Sequence, residues 1–318
     1  MKALRVTDQR VYVADIPLPE ANGEARVRVI KSGICNTDLE IARGYAGFNG
    51  TIGHEFVGVV EASSDEPKLA GTRVVGEINA GCGKCDLCVG GDSRHCPSRT
   101  VLGIHGRDGA HAEFLTLPSR NLIAVPESVS DEAAVFAEPL AAAYGIAERV
   151  DVGPGTSVAI IGDGKLGLLC AMTMQLRTDS VLMVGKHSEK MSIVEKLGVE
   201  TMLLGKGAIP IKSFDVVIEA SGSESGFSTA LDLVRPRGSV ILKSTFHGTA
   251  SWEASRVVVD EISIVGSRCG RLAPAIELLA SKKVNVDDLI SDEYRLDDGV
   301  NALEQAGRHG VLKVLLRP

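Results

Sequence analysis

Hydrophobic and polar positions change period along this chain. From Met1 the segment MKALRVTDQRVYVADIPLPE alternates in short strand-like runs. From Ser157 the pattern differs: an apolar, β-branched run (SVAII) leads into Gly162-x-Gly164-x-x-Gly167, and a helical pattern follows. Further strand-like runs fall at 180–185, 201–205, 214–222, 238–245 and 261–268, with helical segments such as EKMSIVEKLG and FSTALDLVR between them. Strands alternating with helices predict an α/β fold with a doubly wound parallel sheet covered on both faces. The last apolar run, VLKVLLR, reads as one more strand, and no internal repeat or low-complexity tract interrupts the chain.

Composition narrows the function classes. The 318 residues are 44% hydrophobic and 24% charged, the balance of a globular protein with two domains of ordinary size. The net charge of −7, with no Lys/Arg block, argues against a sequence-independent grip on nucleic acid or an anionic membrane. No apolar stretch approaches the roughly 18 residues of a membrane span. The N-terminus shows neither a charged leader nor a cleavage site, so the chain is expected to be mature from Met1 and cytoplasmic. A reducing compartment argues against persistent disulfides.

The cysteines then carry the chemistry. GCGKCDLCVGGDSRHC (residues 81–96) spaces four of the chain's seven cysteines as Cys82-x2-Cys85-x2-Cys88-x7-Cys96, on a loop containing Gly81, Gly83, Gly90 and Gly91. Four thiolates at tetrahedral geometry suit Zn²⁺ in a closed structural site, whereas a redox pair needs only two; the remaining alternative is a loop without metal. Lys84 and Arg94 are expected to offset its negative charge. A second, mixed donor set is spread over three segments: Cys35 in GICNTDLE, His54 and Glu55 in GHEFVG, and Glu138 in FAEPLA. Three protein ligands with an open fourth position are the catalytic form of zinc, although each residue alone reads as an ordinary core or loop residue. Cys170 and Cys269 stand apart from both sets and are expected to be buried free thiols.

The glycine turn suits a dinucleotide. Gly162 permits the tight turn, Gly164 lets backbone approach a pyrophosphate at the helix N-terminus, and Gly167 allows helix to pack on strand. Lys165, inside the turn, and Ser221, at the end of the 214–222 run, are counted with the cofactor-binding residues. An acidic residue about 20 positions further on normally receives the adenosine ribose hydroxyls and favours NAD. That position is Gly185, followed by Lys186, His187 and Ser188, so the strand end is expected to offer positive charge and donors to a 2′-phosphate. NADP is therefore expected over NAD.

Taken together, GHEFVG, the CxTD of Cys35 to Asp38, the four-cysteine lobe, DGAHAEF near Asp108, EPLAAA at Glu138 and the glycine turn resemble the zinc-containing medium-chain alcohol and polyol dehydrogenases, in the family's order across nearly the whole chain. The resemblance implies a GroES-like, mostly-β catalytic domain from 1–143 and 281–318, a Rossmann domain over 144–280, and an active-site cleft between them. It makes Cys35 and His54 catalytic zinc ligands with Glu55 or Glu138 as the carboxylate, Asp38 the acid that orients the ligating histidine, and Thr37 the hydroxyl that relays the alcohol proton. Many relatives place a histidine shortly after CxTD; here Leu39, Glu40 and Ile41 stand there, leaving Glu40 or water to end the relay. Glutamate in the EPL motif leans toward the polyol and sugar branches. The implied reaction moves a hydride between a nicotinamide cofactor and a small alcohol, polyol or matching carbonyl compound, in a homodimer or homotetramer. The alternative is a catalytically silent NADP(H)-binding regulatory or structural protein of the same fold.

Overall fold

A computed structural model describes residues 1–207, 209–244 and 253–318. The chain forms two compact units, Met1–Glu138 with Leu272–Pro318, and Pro139–Arg271. The first division falls inside the helix Ala137–Tyr144 and the second at the start of the helix Leu272–Ala280, so residues 144 and 280 close these two helices.

The first unit is built on a seven-stranded sheet. Its order is Leu122–Ala124, Arg73–Gly76, Glu55–Ser63, Ala25–Gly33, Lys313–Arg317 and Ile290–Arg295, with Phe114–Leu117 also paired to Ala25–Gly33. The C-terminal VLKVLLR run enters this sheet as Lys313–Arg317, antiparallel to Ala25–Gly33 through Leu315↔Gly33 and Leu316↔Ser32. Ala25–Gly33 alternates buried and less buried positions at first, as a strand with one covered face should, then is buried at all of its last three residues. That buried end is where the polar donor residues gather. Val27, Val29, Phe56, Val60, Val74, Leu115 and Leu117 fill the core behind it.

The second unit carries a six-stranded parallel sheet, ordered Glu200–Leu203, Val181–Gly185, Val158–Ile161, Phe214–Glu219, Val234–Leu242, Ser263–Gly266. In chain order that is 3-2-1-4-5-6, the dinucleotide-binding arrangement, with the first strand central and the topology reversing beside it. Val158–Ile161 is buried at every position, as expected of a strand covered on both faces. The predicted strands recur with shifted ends. The run placed at 238–245 begins at Val234, and Thr245 lies outside the described residues. The helix predicted at FSTALDLVR spans Glu224–Leu233 because Ser223 caps it one turn earlier, accepting the Gly226 N–H at 3.1 Å. Cys170 is fully buried, and burial pushes its thiol up to about 12. Cys269 departs from expectation: it follows the edge strand and is only half-buried.

The glycine turn closes on itself. Gly162 has φ +107°, and a Cβ built on Gly167 would lie 1.9 Å from the Gly162 carbonyl oxygen. Gly167→Ala is therefore expected to cost about 1–3 kcal/mol or more by overpacking, whereas Gly153→Ala, where a Cβ meets nothing within 4 Å, should be nearly neutral. Urea midpoints of the two variants compare them; equal midpoints would refute the packing argument.

Candidate active site

Asp38 organises the first donor cluster. Cys35 is the N-cap of the helix Asn36–Ala42, and its backbone N–H donates to Asp38 Oδ2 at 2.8 Å. The other oxygen accepts the Gly53 N–H at 3.1 Å. His54 Nδ1 lies 3.4 Å from Asp38 Oδ1, and His111 Nε2 lies 3.5 Å from Oδ2. His111 is anchored in turn by Ser32, whose hydroxyl is 2.8 Å from Nδ1. Gly53, with φ +96°, has no room for a side chain, because a Cβ there would meet the His111 ring at 2.5 Å. One buried carboxylate thus fixes both the segment bearing Cys35 and the segment bearing His54.

The electrostatics of this point favour a cation. Burial opposes ionisation of Asp38, but the His54 charge and the His111 hydrogen bond outweigh it and hold the carboxyl far below its usual range. Burial likewise opposes a charge on His54, yet the Asp38 carboxylate and the Cys35 sulfur raise its pKa well above the ordinary imidazole value. A metal ion would have to displace that proton, because only the neutral ring can donate to a metal. Donor atoms of Cys35, His54 and Glu55 all lie within 4.8 Å of one another. Cys35 and Thr37 are half-buried, and Thr37 Oγ1 stands 3.8 Å from the Cys35 sulfur. Glu138, half-buried in the first turn of the helix Ala137–Tyr144, does not join this group. Glu40 pairs with Arg43 at 2.8 Å along its own helix.

Glu55 brings a residue that sequence reading passed over. Lys313, from the C-terminal strand, pairs with Glu55 Oε2, and both side chains are buried. Glu55 Oε1 has no hydrogen-bond partner among the described residues, which leaves that oxygen available to a metal. The Lys313 ammonium also lies 5.4 Å from the centre of the Phe136 ring.

The four-cysteine lobe assembles as its spacing predicts. The donor atoms of Cys82, Cys85, Cys88 and Cys96 lie within 4.8 Å of one another. Cys85 Sγ is 3.7 Å from Cys96 Sγ, and a Cβ on Gly81 would sit 2.8 Å from Cys88 Sγ. The Lys84 backbone N–H, with that of Cys85 and the Cys96 thiol, brings Cys82 down to about 6. Arg94 pairs with Asp92 at 3.0 Å, and the guanidinium of Arg120 reaches the loop, donating to the Gly81 carbonyl at 2.8 Å.

In the second unit, Gly164 is the N-cap of the helix Lys165–Gln175; no side-chain cap fills the helix end, and a Cβ on Gly164 would meet nothing within 4 Å. Open backbone N–H groups at a helix terminus suit a pyrophosphate. Ser221, at the far end of the Phe214–Glu219 strand, turns its N–H and hydroxyl to Glu219 Oε1, at 2.8 and 2.5 Å. The strand end at Gly185 differs from expectation. Asp163, read in the sequence only as a spacer of the glycine motif, accepts the N–H groups of Lys186 at 2.7 Å and His187 at 2.6 Å, and its carboxylate lies 3.0 Å from His187 Nδ1. Burial opposes the Asp163 charge, but the His187 and Lys186 contacts keep its carboxyl below the usual range. The Lys186 and His187 backbone N–H groups and the His187 ring thus meet a carboxylate, while Ser188 and the Lys186 side chain are exposed.

Comparison with known proteins agrees with both halves. The alcohol dehydrogenase GroES-like domain matches residues 21–127 and the zinc-binding dehydrogenase domain matches residues 164–281. An L-threonine 3-dehydrogenase of Chelativorans sp. is 31% identical over 264 residues, 76% of either chain. The chain belongs to the zinc-type medium-chain dehydrogenase/reductase family. A sorbitol dehydrogenase of Halalkalibacterium halodurans is 28% identical over 316 residues, covering 93% of this chain and 92% of its own. A Sinorhizobium meliloti chain described as a zinc-binding dehydrogenase, solved bound to NADP, superposes with a TM-score of 0.89 at 27% identity over 100% of this chain and 99% of its own. Among the described residues of this medium-chain dehydrogenase/reductase, no helix is long and apolar enough to cross a membrane.

The Lys313–Glu55 pair yields a stability prediction. In the metal-free protein Lys313→Met leaves a buried carboxylate uncompensated and is expected to cost about 3–5 kcal/mol. Lys313→Met combined with Glu55→Gln should recover most of that loss. Chemical denaturation of the three proteins measures it, and a single variant as stable as wild type would show that the pair is not the constraint argued here.

Proposed function

We propose that this chain is a zinc-dependent, NAD(P)-dependent dehydrogenase acting on a secondary alcohol or polyol and its carbonyl counterpart. The observation that carries the reading is the cluster of Cys35, His54 and Glu55, whose donor atoms lie within 4.8 Å of one another beside buried Asp38. In this reading those three residues hold the catalytic zinc, and Cys82, Cys85, Cys88 and Cys96 hold a structural one. When bound, zinc supplies Lewis acidity toward the substrate oxygen and the nicotinamide supplies the hydride acceptor.

The chain's own residues do the rest. In this reading Asp38, 3.4 Å from His54 Nδ1, holds the His54 segment through the Gly53 N–H and would orient the ring that ligates zinc. Thr37 Oγ1, beside Cys35, can accept the alcohol proton and donate its own onward. Glu40 is tied to Arg43, which favours water as the acceptor beyond Thr37. Glu55, whose carboxylate groups with Cys35 and His54, takes the carboxylate role in this reading. Gly164 and the helix start at Lys165 receive the coenzyme pyrophosphate, the turn being shaped by Gly162 and Gly167, with Ser221 at the neighbouring strand end. The names of the sorbitol and L-threonine dehydrogenase relatives support a polyol or other secondary alcohol as substrate. The free thiols of the chain suit the cytoplasm. Val258, Val259 and Ile264 are exposed beside the edge strand Ser263–Gly266, which supports a homodimer or homotetramer.

Metal analysis tests the reading. Protein purified without chelator should carry about two zinc ions per chain. Cys35→Ala should retain one and lose alcohol oxidation across a panel of polyols, followed by formation of reduced nicotinamide. A wild type holding a single zinc that survives Cys35→Ala would defeat the catalytic site.

A further inference from the structure

The adenosine end of the coenzyme site departs from the ordinary arrangement in a way that has its own logic. In a dinucleotide fold the acid that receives the ribose hydroxyls stands at the end of the second strand, here Gly185. The place of its side chain is not empty. A Cβ built on Gly185 would lie 2.7 Å from Asp163 Oδ2, 2.8 Å from Asp163 Cβ and 2.7 Å from Met191 Sδ. Asp163 comes from the glycine turn, and its carboxylate fills the volume that a strand-end acid would use. The two positions exclude each other: with Asp163 so placed, residue 185 has room only for glycine.

The carboxylate is held firmly and keeps acceptor capacity. Oδ2 takes the Lys186 and His187 N–H groups, while Oδ1 has the His187 Nδ1 contact at 3.1 Å. A carboxylate oxygen has two acceptor sites, so Oδ1 retains one for a hydroxyl donor. Asp163 directly precedes Gly164, the N-cap of the helix Lys165–Gln175.

We infer, resting on the dehydrogenase reading above, that Asp163 is the coenzyme-selecting residue: it receives the adenosine ribose hydroxyls in place of a strand-end acid, and its negative charge makes the protein prefer NAD(H) over NADP(H). A 2′-phosphate would meet this carboxylate and would have to displace it from the Lys186 and His187 N–H groups. The exposed Lys186 side chain is the opposing influence, and the buried, multiply bonded carboxylate outweighs it.

Equilibrium binding of NADH and NADPH, followed by nicotinamide fluorescence on the zinc-loaded protein, tests the inference without needing the substrate. Wild type should bind NADH at least about tenfold more tightly than NADPH, the scale of one charge-assisted hydrogen bond. Asp163→Asn should shrink that ratio by about tenfold. Thermal unfolding shows that each protein is folded. Equal or tighter NADPH binding by wild type, or an unchanged ratio in Asp163→Asn, would overturn the assignment while leaving the dehydrogenase reading intact. Failure of wild type to bind either coenzyme would overturn both.

Discussion

The buried carboxylate of Asp38 is the constraint on which the donor cluster depends. It lies in helix Asn36–Ala42, but its partners come from three other places: the Cys35 backbone before the helix, the Gly53–His54 segment leading into the central sheet, and His111 from a distant loop. A fully buried carboxylate without partners would be severely unfavourable, so these segments hold one another in register. Local helix capping and the placing of a histidine beside a thiol are therefore one event. Sequence, local structure and proposed chemistry meet at a single side chain.

A second buried pair ties the chain's end to the same place. Lys313 lies in the strand that pairs with Ser32 and Gly33, and it neutralises Glu55 at the start of the neighbouring strand. The last segment of the chain thus contributes both hydrogen bonds and charge compensation to a site whose metal-donor residues lie between positions 35 and 55. In the nucleotide unit, Asp163 plays an analogous local role by joining the glycine turn to the end of the second strand.

Much of this was legible because it depends on spacing. The four-cysteine loop and the strand–glycine–helix turn are contiguous, and their residues meet as read: short-range geometry leaves them few choices. The alternating elements gave the parallel sheet, with ends displaced where a cap such as Ser223 or a strand start such as Val234 decided the boundary. His111 and Lys313 were missed because only tertiary contact gives them meaning. Each still left a signal, a histidine within DGAHAEF and a lone lysine inside the apolar run VLKVLL. Asp163 was hidden by the opposite error, since a motif written with a free position invites neglect of the residue that occupies it. The Lys186 and His187 backbone N–H groups lie at the strand end, and the carboxylate they meet is Asp163.

The central claim is that the Asp38-centred cluster completes a mixed-donor zinc site distinct from the four-cysteine lobe. Fine structure at the zinc absorption edge addresses it most directly, because sulfur at about 2.3 Å and nitrogen or oxygen at about 2.0–2.2 Å are separable shells. Wild-type protein should show both, and His54→Ala should leave a sulfur-only shell from the lobe. A sulfur-only shell in the wild type, or a mixed shell unchanged by His54→Ala, would contradict the account.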